Sequence, residues 1–341
     1  MESRPVFVLF GPTASGKTEL LSRLFLEKTA GRETVAAEVV SADSMQVYRG
    51  MDIGTAKPSP KLRRRLPHHL IDIRDPNEQF NVGDFVRLAD LSCADIYSRG
   101  KLPVVSGGTG FYLKNFILGL SAAPPSDPAV RETLKKELTE KGAEALRKEL
   151  AENDGESAAR IHINDTYRLL RALEVFRLTG LPLSSFVPHG TEHTPPRKFP
   201  DDREDPGERA PSGRYRFLIV ELSRPREELY RRIERRCDEM FRIGLAGEVE
   251  GLFRKGYTPE DPGMRAIGYR EFFVDEGAPT GRTWRLSEDP DGVKNLVTRN
   301  SRRYAKRQIT FFASIPNAIK VSPEGAFDRI LDLLSALVHT Q

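Results

Sequence analysis

The sequence predicts an α/β fold in which a parallel, P-loop NTPase-like sheet is flanked by helices and carries a mostly helical insertion domain. One observation is the alternation of short apolar runs with amphipathic helix patterns before residue 120 and after residue 210, because strands that alternate with helices form parallel sheets. The other is the sequence Gly-Pro-Thr-Ala-Ser-Gly-Lys-Thr at residues 11–18, directly after the apolar run 6–10. Its G-x4-G-K-[ST] spacing, between a strand and a helix, is that of a phosphate-binding loop.

The chemistry of this loop favours binding of a diphosphate or triphosphate. Glycines let the backbone bring several N–H groups onto phosphate oxygens, and the start of the following helix adds a partial positive charge. Lys17 would reach the outer phosphate, and the Thr18 hydroxyl would bind Mg²⁺. Spacing and context disfavour the alternative, a glycine-rich turn that binds nothing. The candidate binding residues are Gly11, Pro12, Thr13, Ala14, Ser15, Gly16, Lys17 and Thr18.

Asp43 follows a second apolar run, which ends at Val40. Since the carboxyl ends of parallel strands meet at one edge of a sheet, Asp43 is expected within reach of the ligand of the phosphate loop. It could bind Mg²⁺ together with Thr18, act as a general base, or only cap a turn. Most loops of this kind bind ATP or GTP, so these residues alone leave a kinase or NTPase open.

The remaining patterns divide the chain into three segments. Residues 1–120 form the first part of the core, with a helix over 82–99 and a strand over 103–106. Residues 121–210 form the insertion. Its leucines recur at helical spacing between 124 and 179, which predicts a wholly helical pattern there.

The third segment, residues 211–341, is predicted to return to the core. It is preceded by the proline-rich and charged segment 187–214, which is expected to be mobile. A strand over 217–220, a last strand over 319–321 and a closing helix over 326–338 are expected. A long helix after the first of these strands has an apolar stripe formed by Leu229, Ile233, Cys237 and Met240.

Basic side chains recur on one helical stripe near the C-terminus. They are Arg299, Arg302, Arg303, Lys306 and Arg307, at i, i+3, i+4, i+7 and i+8. Such a stripe is usually a solvated charged face. No acidic residue interrupts it in the sequence, which favours binding to phosphates.

Composition predicts a cytoplasmic protein with a mildly basic balance and does not identify its function. The chain has 341 residues, a net charge of +4 and a pI near 9.0, an excess too small to indicate a nucleic-acid partner alone. The two cysteines, Cys93 and Cys237, form no C-x2-C pair, so neither zinc nor disulfides are expected. The first strand leaves no room for a targeting peptide, and no apolar run approaches membrane-spanning length.

Further motifs occur in a fixed order along the chain. They are Asp43-Ser44 with Gln46-Val47-Tyr48, and residues 51–58, 68–72, 107–110, 171–175, 265–269 and 304–308. Together with the phosphate loop, this set resembles the bacterial tRNA dimethylallyltransferases, also called tRNA isopentenyltransferases. Small departures are Phe111, Tyr167 and Phe311, where Leu, Gln and Trp are usual.

The resemblance implies transfer of a dimethylallyl group from dimethylallyl diphosphate to N6 of an adenosine beside the anticodon, tRNA position 37. Asp43 would be the general base, with Thr109 near the RNA. Lys17, Mg²⁺, Arg226 and Arg232 would stabilise the pyrophosphate leaving group. Most other arginines between Arg224 and Arg236 are expected only to solvate the surface. The candidate tRNA-binding residues are Asp43, Ser44, Met45, Gln46, Tyr48, Thr109, Arg131, Tyr167, Arg168, Leu169, Leu170, Arg171, Arg303, Lys306 and Arg307.

Three alternatives share some of these features. A small-molecule kinase would use the same loop, Asp43 and Mg²⁺; a nucleotide-gated RNA-binding protein would transfer no group; a related enzyme could prenylate free adenine nucleotides. The helical insertion and the uninterrupted basic stripe disfavour the kinase, and the family resemblance disfavours both the kinase and the RNA-binding protein. The helical insertion at residues 121–210, which would bind tRNA, and the length of the chain favour tRNA over free nucleotides. The expected partners are the anticodon stem-loop of tRNA and the prenyl diphosphate, no membrane partner is expected, and a monomer is the expected state.

Overall fold

The computed structural model describes residues 4–27, 35–186, 215–277 and 282–339. The chain divides into two compact units. One comprises Met1–Ile117 and Asp201–Gln341, and the other Leu118–Pro200. The segment 187–214, which the sequence predicts to be mobile, lies outside the described residues.

A six-stranded parallel sheet forms the centre of the first unit and confirms the predicted fold class. Its strand order is β3-β2-β4-β1-β5-β8, and a separate antiparallel pair is formed by β6 and β7. In chain order the strands are β1 (Arg4–Phe10), β2 (Ala37–Ala42), β3 (His68–His69), β4 (Leu102–Gly107), β5 (Tyr215–Leu222), β6 (Phe273–Asp275), β7 (Trp284–Leu286) and β8 (Ile319–Val321).

Helices cover the sheet and build the second unit. In chain order they are α1 (Lys17–Leu26), α2 (Pro60–Arg65), α3 (Val82–Ser98), α4 (Gly110–Leu118), α5 (Pro128–Asn153), α6 (Gly155–Arg160), α7 (Thr166–Thr179), α8 (Arg226–Arg242), α9 (Leu245–Arg254), α10 (Pro290–Phe312) and α11 (Pro323–His339). No helix among the described residues is both long and apolar enough to span a bilayer.

Alternate side chains of the buried strands pack against helices on the two faces of the sheet, as the period of two requires. Phe7 and Leu9 of β1 belong to one apolar cluster that includes residues of α1 and α11. Phe10 contacts Phe312 of α10, with ring centroids 4.8 Å apart. This layering fixes β1 firmly, because its residues 6–10 are fully buried.

The register of the strands brings three loops to the same edge of the sheet. Gly107 at the end of β4 lies opposite both Phe10 of β1 and Ala42 of β2. The phosphate loop, the loop that starts at Asp43 and the loop that starts at Gly108 therefore leave the sheet side by side. β4 lies between β1 and β2, so Asp43 reaches this edge from a strand that is not adjacent to β1.

Helices α5, α6 and α7 form the second unit. Its core is a cluster of apolar side chains that includes Leu134, Leu146, Leu150 and Leu173. The sequence predicts a wholly helical pattern from 124 to 179, and α5, α6 and α7 lie in this range, with a break at Gly142 (φ of 79°) within α5 and residues 161–165 between α6 and α7. The short strands β3, β6 and β7, each of two or three residues, were not predicted.

Candidate active site

The phosphate loop follows β1 and has the backbone of an anion-binding turn. Gly16 has φ of 101° and stands at the N-cap of α1, while Ala14 has φ of 63°. A Cβ on Gly11 would lie 2.5 Å from the Leu222 carbonyl oxygen, so that position requires glycine. The Ser15 hydroxyl is buried and has no hydrogen-bond partner among the described residues. A helix N-terminus with an unsatisfied hydroxyl beside it is suited to an anionic ligand.

Lys17 turns back onto this loop. Its Nζ donates hydrogen bonds to the carbonyl oxygens of Gly11 and Pro12, at 2.8 and 3.0 Å. The pKa of Lys17 is lowered to about 8, mainly by burial and also by the positive charge of Arg236, while Asp43 partly opposes the shift. The ammonium group is therefore held without a carboxylate in ion-pair contact among the described residues.

Arginines from α8 and from the connection between β5 and α8 surround the loop. Arg224 Nε donates to the Ser15 carbonyl at 2.6 Å, and Arg232 Nε donates to the Ala14 carbonyl at 2.7 Å. Arg236 lines the cavity described below. The prediction that most other arginines between Arg224 and Arg236 only solvate the surface does not hold for these two. Arg236 lies three positions after Ile233, on the buried side of α8, which was the signal in the sequence.

Arg226 lies apart from the loop contacts. Its guanidinium stands 5.1 Å from the centre of the Tyr230 ring, and its Nε donates to the Tyr230 hydroxyl at 3.0 Å. Of the two arginines proposed for the diphosphate, only Arg232 contacts the phosphate loop.

Asp43 lies at the mouth of the loop after β2. Its Oδ1 accepts hydrogen bonds from the backbone N–H groups of Met45 at 2.9 Å and Gln46 at 3.3 Å. Its Oδ2 has no hydrogen-bond partner among the described residues. One oxygen therefore caps a turn, while the other is available to a substrate or a cation.

Thr109 joins the loops that follow β2 and β4. Its Oγ1 accepts a hydrogen bond from Ser44 N at 2.9 Å, and its backbone N–H donates to the Ala42 carbonyl at 3.1 Å. Gln46 is held by the Ser41 hydroxyl at 3.0 Å. Tyr48 is only 2% exposed, so it belongs to the core and not to a surface that reads bases.

The residues of the basic stripe on α10 have different neighbours. Arg302 forms an ion pair with Glu234 of α8, so a neighbouring helix supplies the acid that the sequence around the stripe lacks. Arg307 and Tyr304 line the cavity. Arg299, Arg303, Lys306 and Arg307 are exposed and have no ion-pair partner among the described residues, and of these four only Arg307 lines the cavity.

These groups share one cavity of about 360 Å³. Its polar lining includes Thr13, Lys17, Thr18, Asp43, Ser44, Gln46, Arg236, Tyr304 and Arg307. Its apolar lining includes Leu21, Ile233, Met240, Ile267 and Val297. A cavity of this composition can bind a molecule with an anionic end and a hydrocarbon end.

The oxygen donors at the cavity fit a magnesium ion. Mg²⁺ prefers hard oxygen ligands and takes one or two from the protein, with water and phosphate completing its shell. The Thr18 hydroxyl and the Asp43 carboxylate line the same cavity. The described residues contain no cluster of three or more His, Cys, Asp or Glu that would bind a metal without the help of a substrate.

The second unit uses most of its candidate RNA-binding residues internally. Glu174 is fully buried and accepts hydrogen bonds from Arg171 at 2.9 Å and Arg131 at 3.3 Å. Burial alone would raise the pKa of Glu174, but hydrogen bonds from Ser126 and Arg171 lower it below its ordinary value. Leu169 and Leu170 belong to the core of the unit, and the candidates that stay exposed are Tyr167 and Arg168.

The chain is similar to proteins of known activity over almost its whole length. The family model "IPP transferase" matches residues 46–315. A tRNA dimethylallyltransferase of Geobacter sulfurreducens is 45% identical over 95% of this chain and 93% of its own length. That of Geobacter metallireducens is 41% identical over 99% of both chains.

Solved structures agree. The tRNA isopentenylpyrophosphate transferase of Bacillus halodurans is 32% identical, covers 99% of this chain and 97% of its own, and superposes with a TM-score of 0.62. A eukaryotic dimethylallyltransferase that acts on tRNA covers 98% of this chain and 78% of its own, with a TM-score of 0.71; at 24% identity it supports the fold alone. The sequence match and the fold lead to one conclusion: this chain belongs to the IPP transferase family.

Proposed function

We propose that this chain transfers a dimethylallyl group from dimethylallyl diphosphate to N6 of the adenosine 3′ of the anticodon, tRNA position 37. The product is N6-(dimethylallyl)adenosine. The observation that carries the proposal is the shared cavity, in which a phosphate loop, an available carboxylate oxygen and apolar side chains meet. The tRNA dimethylallyltransferases among its relatives supply the acceptor class.

The leaving group is the first chemical requirement. The bond between the prenyl carbon and the phosphate oxygen breaks, and its electron pair leaves with pyrophosphate. Lys17, Arg224 and Arg232 lie on the phosphate loop, where their charges would stabilise the developing negative charge. Mg²⁺ bound by the Thr18 hydroxyl and the phosphates would neutralise part of the same charge.

The nucleophile is the second requirement. The N6 lone pair of adenine is delocalised into the ring, so the amine must lose a proton as its bond to carbon forms. Asp43 Oδ2 is the group proposed to take that proton, since Oδ1 is held by two backbone N–H groups that fix the carboxylate. Thr109, which fixes the same loop through Ser44, is proposed to orient the adenine.

The acceptor reaches this cavity only as an unstacked base, since N6 is otherwise enclosed in the anticodon stack. The exposed cations of α10 are proposed to bind the RNA backbone: Arg299, Arg303 and Lys306, with Arg307 at the cavity. In the second unit Tyr167 and Arg168 remain as candidates. A tRNA substrate implies action in the cytoplasm, and we propose that the monomer is the active form.

Incubation of the pure protein with unmodified tRNA, Mg²⁺ and dimethylallyl diphosphate, with and without ATP, tests the proposal. Mass analysis of the digested tRNA should show one dimethylallyl group on adenosine, in equal amounts with and without ATP. Free adenosine monophosphate serves as the competing acceptor and should stay unmodified. Strict dependence on ATP would indicate the kinase alternative instead.

A further inference from the structure

Gln308 of α10 connects two of the loops at the carboxyl edge of the sheet. Its Oε1 accepts a hydrogen bond from Thr13 N at 2.9 Å, in the phosphate loop. Its Nε2 donates to the Gly108 carbonyl at 2.7 Å, in the loop after β4. The side chain is buried, and a Cβ on Gly108 would lie only 2.5 Å from Nε2. A single amide therefore spans the two loops, and glycine at 108 makes the close approach possible.

Thr109, which directly follows Gly108 in the chain, extends this connection. Its Oγ1 accepts the N–H of Ser44, the residue that follows Asp43. A path of hydrogen bonds, joined by the Gly108–Thr109 peptide bond, thus runs from the phosphate loop to the loop of the proposed base.

We propose that Gln308 is a positioning residue that couples occupation of the phosphate loop to the geometry of the acceptor loops, residues 43–46 and 107–110. The inference rests on the proposed function, because it assigns the donor to one end of the path and the acceptor to the other. Gln308 is not proposed to touch either reacting atom.

The physical reason for this coupling is that Gln308 Oε1 accepts the hydrogen bond of the Thr13 N–H, which a phosphate oxygen would otherwise accept. A shift of the phosphate loop around pyrophosphate changes the position of Thr13, and the rigid planar amide transmits that change to Gly108. Displacement at carbon requires reacting atoms about 3–3.5 Å apart, and a misplacement of about 1 Å costs on the order of 10²-fold in rate. Loss of the amide should therefore lower kcat while each substrate still binds.

Two substitutions separate the halves of the connection. Gln308→Met removes both hydrogen bonds with a side chain of similar length. Gln308→Glu keeps an acceptor for Thr13 but places an oxygen against the Gly108 carbonyl. The matched control is Val293→Ala, a buried residue near the start of the same helix that does not line the cavity, which perturbs the packing of α10 away from the two loops.

Steady-state kinetics on the folded fraction should show a split between kcat and KM. We expect kcat to fall by about tenfold to 10²-fold in both Gln308 variants, with KM for donor and tRNA changed by no more than about threefold. The control should keep its kcat. An unchanged kcat in folded Gln308→Met, or an equal fall in the control, overturns the proposal.

Hydrogen exchange tests the coupling without requiring the transfer reaction to occur. With Mg²⁺ and pyrophosphate, the wild-type protein should gain protection in residues 11–18 and also in 43–46 and 107–110. In Gln308→Met the protection should stay confined to 11–18. Equal spread in both proteins contradicts the coupling. Failure of the wild type to modify tRNA would count against the proposed function, whereas the exchange comparison would still decide the coupling.

Discussion

The second unit and the candidate active site of this chain treat positive charge in opposite ways. In the second unit Arg131 and Arg171 share the fully buried Glu174, and Arg177 is held by Glu137 at 2.7 Å and Glu149 at 2.8 Å. In the candidate active site Lys17 donates, among the described residues, only to backbone carbonyls. Arg236, which lines the same cavity, has no ion-pair partner among the described residues.

The difference indicates which cations are available to a ligand. A buried charge must be compensated, and where the fold supplies no acid an anion can supply it. The arginines of the second unit are compensated by their own helices and stabilise that unit. Lys17 and Arg236 have unmet positive charge in a cavity, which suits them to a diphosphate.

The largest effect is expected from Asp43→Asn, which removes the proposed base and keeps the size of the side chain. Turnover should fall by about 10²–10⁴-fold, the contribution typical of a general base, with both substrates still bound. Single-turnover rates and donor affinity measure the two effects separately. The exposed carboxylate variant Asp95→Asn is the control. Near-normal turnover would exclude Asp43 as the base, whereas a parallel loss of donor affinity would assign it mainly to Mg²⁺.

Glu174→Ala tests the second unit, in which an acidic residue compensates the charges of the arginines. Removing one partner of a buried ion pair costs about 3–5 kcal/mol, because Arg131 and Arg171 would be left buried without an acid. The loss should appear as faster hydrogen exchange across residues 118–186, while pyrophosphate affinity in the first unit stays unchanged. Glu156→Ala, which removes an exposed carboxylate of α6, should have little effect on either. Weakened pyrophosphate binding in Glu174→Ala would mean that the two units are not independent in this respect.

The sequence predicted the main residues of the candidate active site, but it did not predict which charges are paired in the second unit. The phosphate loop and Asp43 were predictable, because their backbone chemistry depends on local spacing and on the ends of parallel strands. The surroundings of Arg171, Leu169 and Leu170 could not be predicted. A motif identifies residues, but it does not show which acidic residue or which apolar core the tertiary structure places next to them. Arg302 makes the point for α10: its partner Glu234 lies 68 positions earlier in the sequence.

The lowered pKa of Lys17 predicts opposite pH dependences for the folding stability and for the affinity for pyrophosphate. Because its pKa in the folded protein is lowered to about 8, the unfolded chain binds more protons between pH 8 and the usual lysine value near 10.4. The contribution of Lys17 to folding stability should therefore rise with pH in that window. Pyrophosphate affinity should instead fall, by about tenfold at pH 9, since the ammonium loses its proton.

Comparison with Lys17→Met isolates these effects from the titration of pyrophosphate itself. The difference in pyrophosphate affinity between wild type and variant, measured by calorimetry from pH 7 to pH 9.5, should shrink as pH rises. A difference that stays constant across this range would show that Lys17 keeps its proton and that burial does not weaken it.

The smallest effect is expected from Arg303 and Lys306 of the basic stripe. Both are exposed, form no ion pair among the described residues and do not line the cavity. Arg303→Gln with Lys306→Gln removes two cations and keeps most of the helix propensity of α10. If both bind RNA phosphates, each lost contact should reduce the slope of log affinity against log salt by roughly 0.7–0.9. Saturation by the prenyl donor should be unchanged, because neither residue lines the cavity.

The matched control for this pair is Arg254→Gln with Lys255→Gln, which removes the same charge from the exposed end of α9. A lower net charge alone would weaken tRNA binding equally in both double variants, whereas a contact surface on α10 requires a shallower salt slope in the first one only. If the wild-type slope persists in the Arg303 and Lys306 variant, the exposed stripe is a solvated face. The RNA contacts would then have to come from Arg307 at the cavity or from Tyr167 and Arg168, the exposed candidates of the second unit.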